Sequence, residues 1–245
     1  MTLPLIQFVD VYKSFGDTSV LSGVNLSIFQ GEITAIIGKS GTGKSVLLKH
    51  IIGLMEADDG QILHQGNPIQ SLPKKDLAKF KRNLSYMFQD NALFDFMTVF
   101  ENIALPLKEA RRMPLGQIRE KVGQRMEQLG LGGTQDKFPM ALSGGMRKRV
   151  ALARALVTDP RVVLFDEPTT GLDPIRKNTV HQMIMEYQEQ FGFTAVIVSH
   201  DIPDIFSVAQ RIAMLDQGRI TFEGSYDEVL KSSDTTLSAF IEGRV

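Results

Sequence analysis

Gly38-Lys39-Ser40-Gly41-Thr42-Gly43-Lys44-Ser45 is the stretch that decides the fold class. It fits the pattern GxxxxGK[ST] at every position. Before it runs Ile33-Thr34-Ala35-Ile36-Ile37, a short apolar strand, and after it VLLKHIIGL, a good helix-forming stretch. Strand, glycine loop and helix are the first half of a βαβ unit. The glycines let successive backbone N–H groups curl around a phosphate without a Cβ in the way. The helix beginning near Lys44 points its positive dipole end at the same anion. On this reading Lys44 reaches the β- and γ-phosphates and the Ser45 hydroxyl ligates Mg²⁺.

A phosphate loop of this kind calls for an acidic partner, and Val162-Val163-Leu164-Phe165-Asp166-Glu167 supplies one. In an α/β sheet the carboxyl ends of the strands face the ligand crevice, where the loop after Ile37 also lies. Asp166 is therefore expected near the metal and Glu167 beside an attacking water. Thr194–Val198 repeats the short apolar pattern of a strand buried on both faces. Helical patterns cover Met146–Val157, Lys177–Gln190 and Asp201–Ala209, and polar amphipathic helices cover Asp76–Arg82 and Pro114–Leu129. Leu5–Val11 and Val20–Phe29 alternate with period two, as antiparallel strands with one wet face do. The last forty residues return to short strands, Arg211–Asp216 and Arg219–Phe222, and a small helix near Tyr226–Lys231.

Composition narrows the function. Of 245 residues, 43% are hydrophobic and 22% charged, which suits a globular domain and excludes a largely disordered chain. The net charge of −1 supplies no global field for nucleic acid. Lys74, Lys75, Lys79, Lys81 and Arg82 cluster at helical spacing, and a solvated helix face accounts for them. There is no cysteine, so disulfide, thiolate and zinc-thiolate chemistry are excluded. MTLPLIQFVDVYKSFG lacks a basic segment followed by an apolar one, so no secretory signal is expected. Ser199, His200 and Asp201 are consecutive; neighbours on a strand point to opposite faces, which argues against a hydrolase triad. His50, His64 and His181 read as ordinary surface or core residues.

Leu142-Ser143-Gly144-Gly145-Met146, followed by RKRVALARAL and then the acidic strand, resembles the signature motif of ABC-transporter ATPases. The resemblance spans essentially the whole chain, with six motifs in the family's order. Gly38–Ser45 matches the phosphate loop, Gln89 the Q-loop glutamine, Leu142–Met146 the signature and Asp166-Glu167 the end of the acidic strand. Thr170-Gly171-Leu172-Asp173 is similar to the D-loop, and Ser199-His200-Asp201 contains the switch histidine. The resemblance implies an α/β fold: a P-loop NTPase ABC ATPase domain with a RecA-like core, an antiparallel β subdomain and a helical subdomain. It implies one domain over 1–245, with 1–88 and 161–245 forming the core plus β subdomain and 89–160 the helical subdomain.

The same resemblance assigns roles. ATP and Mg²⁺ are the implied ligands. Phe15 matches the aromatic position that stacks on adenine, and Gly38, Lys39, Ser40, Gly41, Thr42, Gly43, Lys44 and Ser45 hold the phosphates. Ser45, Gln89 and Asp166 surround the metal, while Glu167 and His200 act with Lys44 and Gln89 on the γ-phosphate and water. Ser143, Gly144 and Gly145 would cap a nucleotide held by the opposite subunit of a head-to-tail homodimer, with Asp173 linking the two composite sites. Met146 replaces the usual signature glutamine. At finer grain, GKSVLLKHIIGL, QDNALFDFMTVFENIALPL and LSGGMRKRVALARAL look like the ATPases of Mla/Mce-type lipid transport systems. The implied partners are a membrane permease docking near Gln89–Met97, an Mce-domain lipid-binding protein and a small accessory subunit, with no nucleic acid. The implied location is the cytoplasmic face of the bacterial inner membrane. A small-polar-solute importer and a soluble non-transport ATPase are the alternatives.

Overall fold

Two sheets divide the strands by the kind of burial their sequences allow. The computed structural model describes residues 3–88, 92–110 and 113–242. In the first sheet, β1 (Ile6–Phe15) lies between β2 (Thr18–Ile28) and β4 (Asp59–His64), with the two-residue β5 (Asn67–Pro68) at the edge. All its pairings are antiparallel. One face carries Ile6, Phe8, Val11, Val24, Leu26 and Ile28 inward, as the period-two pattern predicts.

The second sheet has the order β10-β9-β3-β8-β7-β6. Its members are β3 (Ile33–Ile37), β6 (Leu84–Met87), β7 (Val162–Asp166), β8 (Thr194–Ser199), β9 (Arg211–Asp216) and β10 (Arg219–Gly224). Strands β9, β3, β8, β7 and β6 run parallel, and β10 closes one edge antiparallel to β9. Alternate residues of the central strands enter two different cores. Ile36, Leu164, Val196 and Val198 face the first sheet and Leu47, Leu48 and Ile51 of α1 (Lys44–Ile51). Ile37, Val163, Phe165 and Ile197 face the helices on the other side. Burial on both faces explains why these strands read as unbroken apolar runs.

Those helices are α3 (Val99–Glu109), α4 (Leu115–Gln128), α5 (Gly144–Leu156) and α6 (Pro174–Phe191). The first three pack on one another. Helix α2 (Lys74–Arg82) buries Phe80 and leaves its lysines and Arg82 in solvent, the solvated face expected of them. Helix α7 (Tyr226–Lys231) stands where the sequence places it, and α8 (Thr235–Ile241) follows it, capped by Asp234.

One helical expectation fails. Asp201–Ala209 forms only a short 3₁₀ turn at Asp204–Ser207. Pro203 disfavours helical geometry at the residue before it. The Asp201 carboxylate is also taken by Lys177 and Thr169, so it caps nothing. Helix α3 was hidden in the sequence by Pro106 in its interior, although the reciprocal Thr98–Glu101 capping box marks its start. Among the described residues no helix is long and apolar enough to cross a membrane.

Candidate active site

Parallel register brings three chain segments to one edge of the second sheet. Ile37 pairs with Ser199, and Asp166 pairs with Val198. The residues that follow, Gly38, Glu167 and His200, therefore leave adjacent strands at nearly the same level, at the carboxyl edge where α/β sheets bind ligands. Asp166 points to the same sheet face as Leu164 two residues earlier, which is the face covered by α1. That period places its carboxylate over Ser45, whose hydroxyl donates to Asp166 Oδ1 at 2.7 Å.

The loop itself depends on glycine at two points. Gly38 has φ +154°, and a Cβ there would sit 2.3 Å from the Leu215 carbonyl oxygen. Gly43 has φ +100°, and its Cβ would meet Val20 Cγ1 at 2.7 Å. Lys44 Nζ is buried and donates to the carbonyls of Gly38 and Lys39, both at 2.8 Å. Burial lowers the Lys44 pKa, while the carboxylates of Glu167 and Asp166 oppose that shift. Thr42 closes the turn through its hydroxyl on the Lys39 carbonyl, and Ser40 and Gly41 stand exposed at the tip. Helix α1 has no side-chain cap and no acidic residue in its first turn, so its leading N–H groups are left to an anion.

Glu167 gathers the remaining polar groups. Its Oε1 lies 3.7 Å from Lys44 Nζ. Its Oε2 lies 3.0 Å from His200 Nδ1 and accepts the Thr170 hydroxyl at 2.9 Å. Glu167 has φ +46°, a left-handed conformation that costs a non-glycine residue about 1–2 kcal/mol. Its amide still donates to the Val198 carbonyl at 3.1 Å, so the strained residue is tied to the neighbouring strand. Ser199 Oγ accepts the Asp201 amide at 3.0 Å while His200 turns to Glu167, so the three consecutive residues form no triad.

Asp201 anchors the segment that carries His200. Its carboxylate accepts from Lys177 of α6 and from the Thr169 hydroxyl. Burial alone would raise its pKa; the Lys177 and Thr169 hydrogen bonds outweigh that and bring it below the usual carboxylate value. On the other side of Asp166, the Tyr86 hydroxyl donates to Oδ2 at 2.5 Å. Burial, then the adjacent Asp166 carboxylate, raises the Tyr86 pKa well above its ordinary value, so the phenol stays a donor. Thr170 and Asp201 were read from sequence only as members of the D-loop match and of the segment around His200, and Tyr86, Lys177 and Thr169 were given no role. The only signal for Tyr86 is its place in β6, one strand over from β7.

The remaining candidates lie apart from this cluster. Phe15 ends β1 at the β1–β2 turn and is 46% exposed, with Lys13 Nζ 5.7 Å from its ring centroid, so it is not a core aromatic. Ser143 caps α5 by accepting the Met146 amide at 3.2 Å, and Gly144 and Gly145 are exposed. Together with Met146 they line an open cleft of about 650 Å³ whose other wall includes Thr170, Leu172, Arg176 and Met183. No residue of Gly38–Ser45 lines that cleft. Asp173 caps α6, accepting the Arg176 amide and pairing with the Arg176 guanidinium. Gln89 lies outside the described residues. Beyond it Phe94 and Phe96 are exposed, their ring centroids 5.6 Å apart, on a turn held by the buried Asn102.

Comparison with known proteins agrees with this geometry. The family model for the ABC transporter matches residues 21–170. The chain is 39% identical over 239 residues to the "probable ribonucleotide transport ATP-binding protein mkl" of Mycobacterium leprae, covering 98% of this chain and 69% of that one. It is 36% identical over 239 residues to the "intermembrane phospholipid transport system ATP-binding protein MlaF" of Escherichia coli K12, covering 98% and 89%. Among solved structures it matches cbiO1 of Clostridium perfringens, described as part of the ABC transporter complex cbiONQ. The TM-score is 0.85 at 29% identity, over 97% of this chain and 95% of that one. The chain thus spans about two thirds of the mycobacterial relative and nearly all of the other two. This chain belongs to the ABC transporter family, as one of its ATP-binding, ATP-hydrolysing subunits.

Proposed function

We propose that this subunit powers the movement of phospholipid between two bacterial membranes, working as a homodimer beneath a membrane permease. The observation that carries the cargo assignment is similarity along nearly the full length of MlaF, whose name states intermembrane phospholipid transport. The mycobacterial relative is named for ribonucleotide transport, so a polar cargo is the second reading.

The residues fit Mg·ATP: an uncapped helix N-terminus, two obligatory glycines, a buried ammonium and a hydroxyl–carboxylate pair of hard oxygens. Ser45 and Asp166 would hold magnesium, which would supply positive charge against the negative charge that develops on the phosphates. Lys44 leaves the Gly38 and Lys39 carbonyls for the phosphates, and Ser45 turns its oxygen to the metal while Asp166 supports it. Glu167, steadied by Thr170 and His200, orients water for in-line attack. Gln89 is assigned to the metal and water by its match to the Q-loop glutamine alone, and Phe15 offers its exposed ring to the base. Ser143, Gly144 and Gly145 face a second copy, because a signature cleft that contains no phosphate-loop residue is half of a site. Asp173 links the two halves.

The helical body, residues 89–160, carries the signature, and residues 1–88 with 161–245 carry the phosphate loop and β subdomain. Mutual packing of α3, α4 and α5 supports this division. Phe94, Phe96 and Met97 present the permease-docking surface, at the cytoplasmic face of the inner membrane. An Mce-domain protein and a small accessory subunit complete the assembly.

Two experiments test this. Glu167→Gln should keep ATP affinity, lose at least 100-fold in hydrolysis and run as a dimer with ATP on size-exclusion chromatography; normal turnover would remove Glu167 from its role. Mild-detergent capture from native membranes should recover a multi-span permease, an Mce-domain protein and phospholipid. Recovery of a periplasmic solute receptor, or of ribosomes and nucleic acid, would overturn the cargo and leave the ATPase chemistry intact.

A further inference from the structure

We propose that Tyr86 is a positioning residue for the metal-supporting carboxylate, fixing the plane of Asp166 from the neighbouring strand. This rests on the reading of Ser45 and Asp166 as the magnesium site.

The placement follows from register. Tyr86 on β6 pairs with Leu164 on β7. Asp166 lies two residues further along β7, on the same sheet face as Leu164. A side chain as long as tyrosine spans this diagonal, and the phenol oxygen reaches Asp166 Oδ2 at 2.5 Å. That separation belongs to a hydroxyl donating to a charged oxygen, among the stronger hydrogen bonds in proteins. The carboxylate is thus divided between two donors, Ser45 on Oδ1 and Tyr86 on Oδ2.

The division matters because the last torsion of an aspartate is broad and sets the carboxylate plane only weakly. Ser45 cannot fix the plane alone, since one bond to one oxygen leaves rotation about it. Tyr86 supplies the second point. The phenol is itself restrained: the Phe88 ring lies 4.6 Å from the Tyr86 ring at 53°. Tyr86 is half-buried, so the hydrogen bond is shielded from competing water. Residues that orient a metal's supporting ligands typically change metal affinity 10- to 100-fold when removed.

The test is made without turnover, in the Glu167→Gln protein with saturating ATP, using Mn²⁺ as the probe and electron paramagnetic resonance to count free ion. Tyr86→Phe should weaken Mn²⁺ binding about tenfold. Affinity for a fluorescent ATP analogue in EDTA should not change, and neither should the melting temperature, since the ring and its Phe88 contact remain. Tyr86→Leu should weaken Mn²⁺ binding equally and also lower the melting temperature. Unchanged or tighter Mn²⁺ binding in Tyr86→Phe overturns the proposal. Asp166→Asn in the same background separates the two failures. If Asp166→Asn weakens Mn²⁺ binding and Tyr86→Phe does not, only the role of Tyr86 falls. If neither does, the metal-site reading falls with it.

Discussion

Glu167 is held by groups from three places in the chain: Lys44 at 3.7 Å, Thr170 at 2.9 Å and His200 at 3.0 Å. Its left-handed backbone shows that the turn after β7 is imposed by what surrounds it rather than chosen by the residue. Among the described contacts to this carboxylate, Thr170 is the one not assigned to the phosphates of the same subunit's loop. Thr170→Val deletes a hydrogen bond to a carboxylate while keeping side-chain volume. A bond of that kind is worth about 1.5–3 kcal/mol, and His200 retains part of the hold. Turnover should therefore fall about tenfold with ATP affinity unchanged, read by single-turnover kinetics beside nucleotide titration. An unaltered rate would show that His200 and Lys44 hold Glu167 without Thr170. Glu167, His200 and Lys44 were legible from sequence because each follows a recognisable strand or sits in a recognisable loop. Thr170 was read as part of the D-loop, and nothing in its spacing said which way its hydroxyl turns.

Between elements, Asn102 does the work of a missing strand. Its side-chain oxygen accepts the Phe94 amide at 2.9 Å, and the two protons of its Nδ2 are shared among the carbonyls of Phe94, Met97 and Thr98 at 3.0–3.1 Å. A fully buried amide on α3 thereby satisfies the backbone of the turn that displays Phe94 and Phe96. Asn102→Ala should cost about 2–4 kcal/mol, since several of those backbone groups lose a partner at once. A lower urea midpoint, with faster protease cleavage near Phe94–Phe96, is the expected result. Cleavage as slow as in the parent would mean that the turn is held by other contacts. No helix was read from sequence at α3, which Pro106 interrupts, and an Asn inside an apolar run gives no hint of which backbone it serves. The segment after β8 shows the same limit. Its apolar spacing suggested a helix, but Pro203 and the ties of Asp201 to Thr169 and Lys177 leave one 3₁₀ turn.

Across the whole molecule, His50 and His181 respond most directly to mild acid, and burial shifts the half-buried His64 in the same direction. His50 and His181 are each 2% exposed, and burial holds both below the ordinary histidine pKa. Neither nitrogen of the His181 ring has a hydrogen-bond partner among the described residues. The unfolded chain takes up protons at these sites as pH falls through about 6.5, while the folded chain does not. Stability is therefore complete above pH 7 and declines below it, with a slope approaching about 1.4 kcal/mol per pH unit for each histidine. Asp201 acts in a different window: its lowered pKa contributes stability that is present above about pH 4 and lost as pH falls through its folded value. Urea midpoints should fall little from pH 7.5 to 6.5 and more from 6.5 to 5.5 in the parent, and less in His181→Leu. Parallel curves for the two proteins would exclude His181 as a source of the acid response.

The sequence by itself determined the fold class and the glycine loop, acidic strand end and histidine that meet at the sheet edge. Each is written in consecutive residues, where glycine placement, apolar runs and strand ends carry their own physical meaning. Only the tertiary structure decided that Tyr86 holds Asp166, that Asn102 serves the turn before α3, and that Asp201 ties the switch segment to α6. These partners are separated along the chain, by 80 residues for Tyr86 and Asp166. Their meeting depends on parallel register and helix packing, which many residues fix jointly and no short motif records.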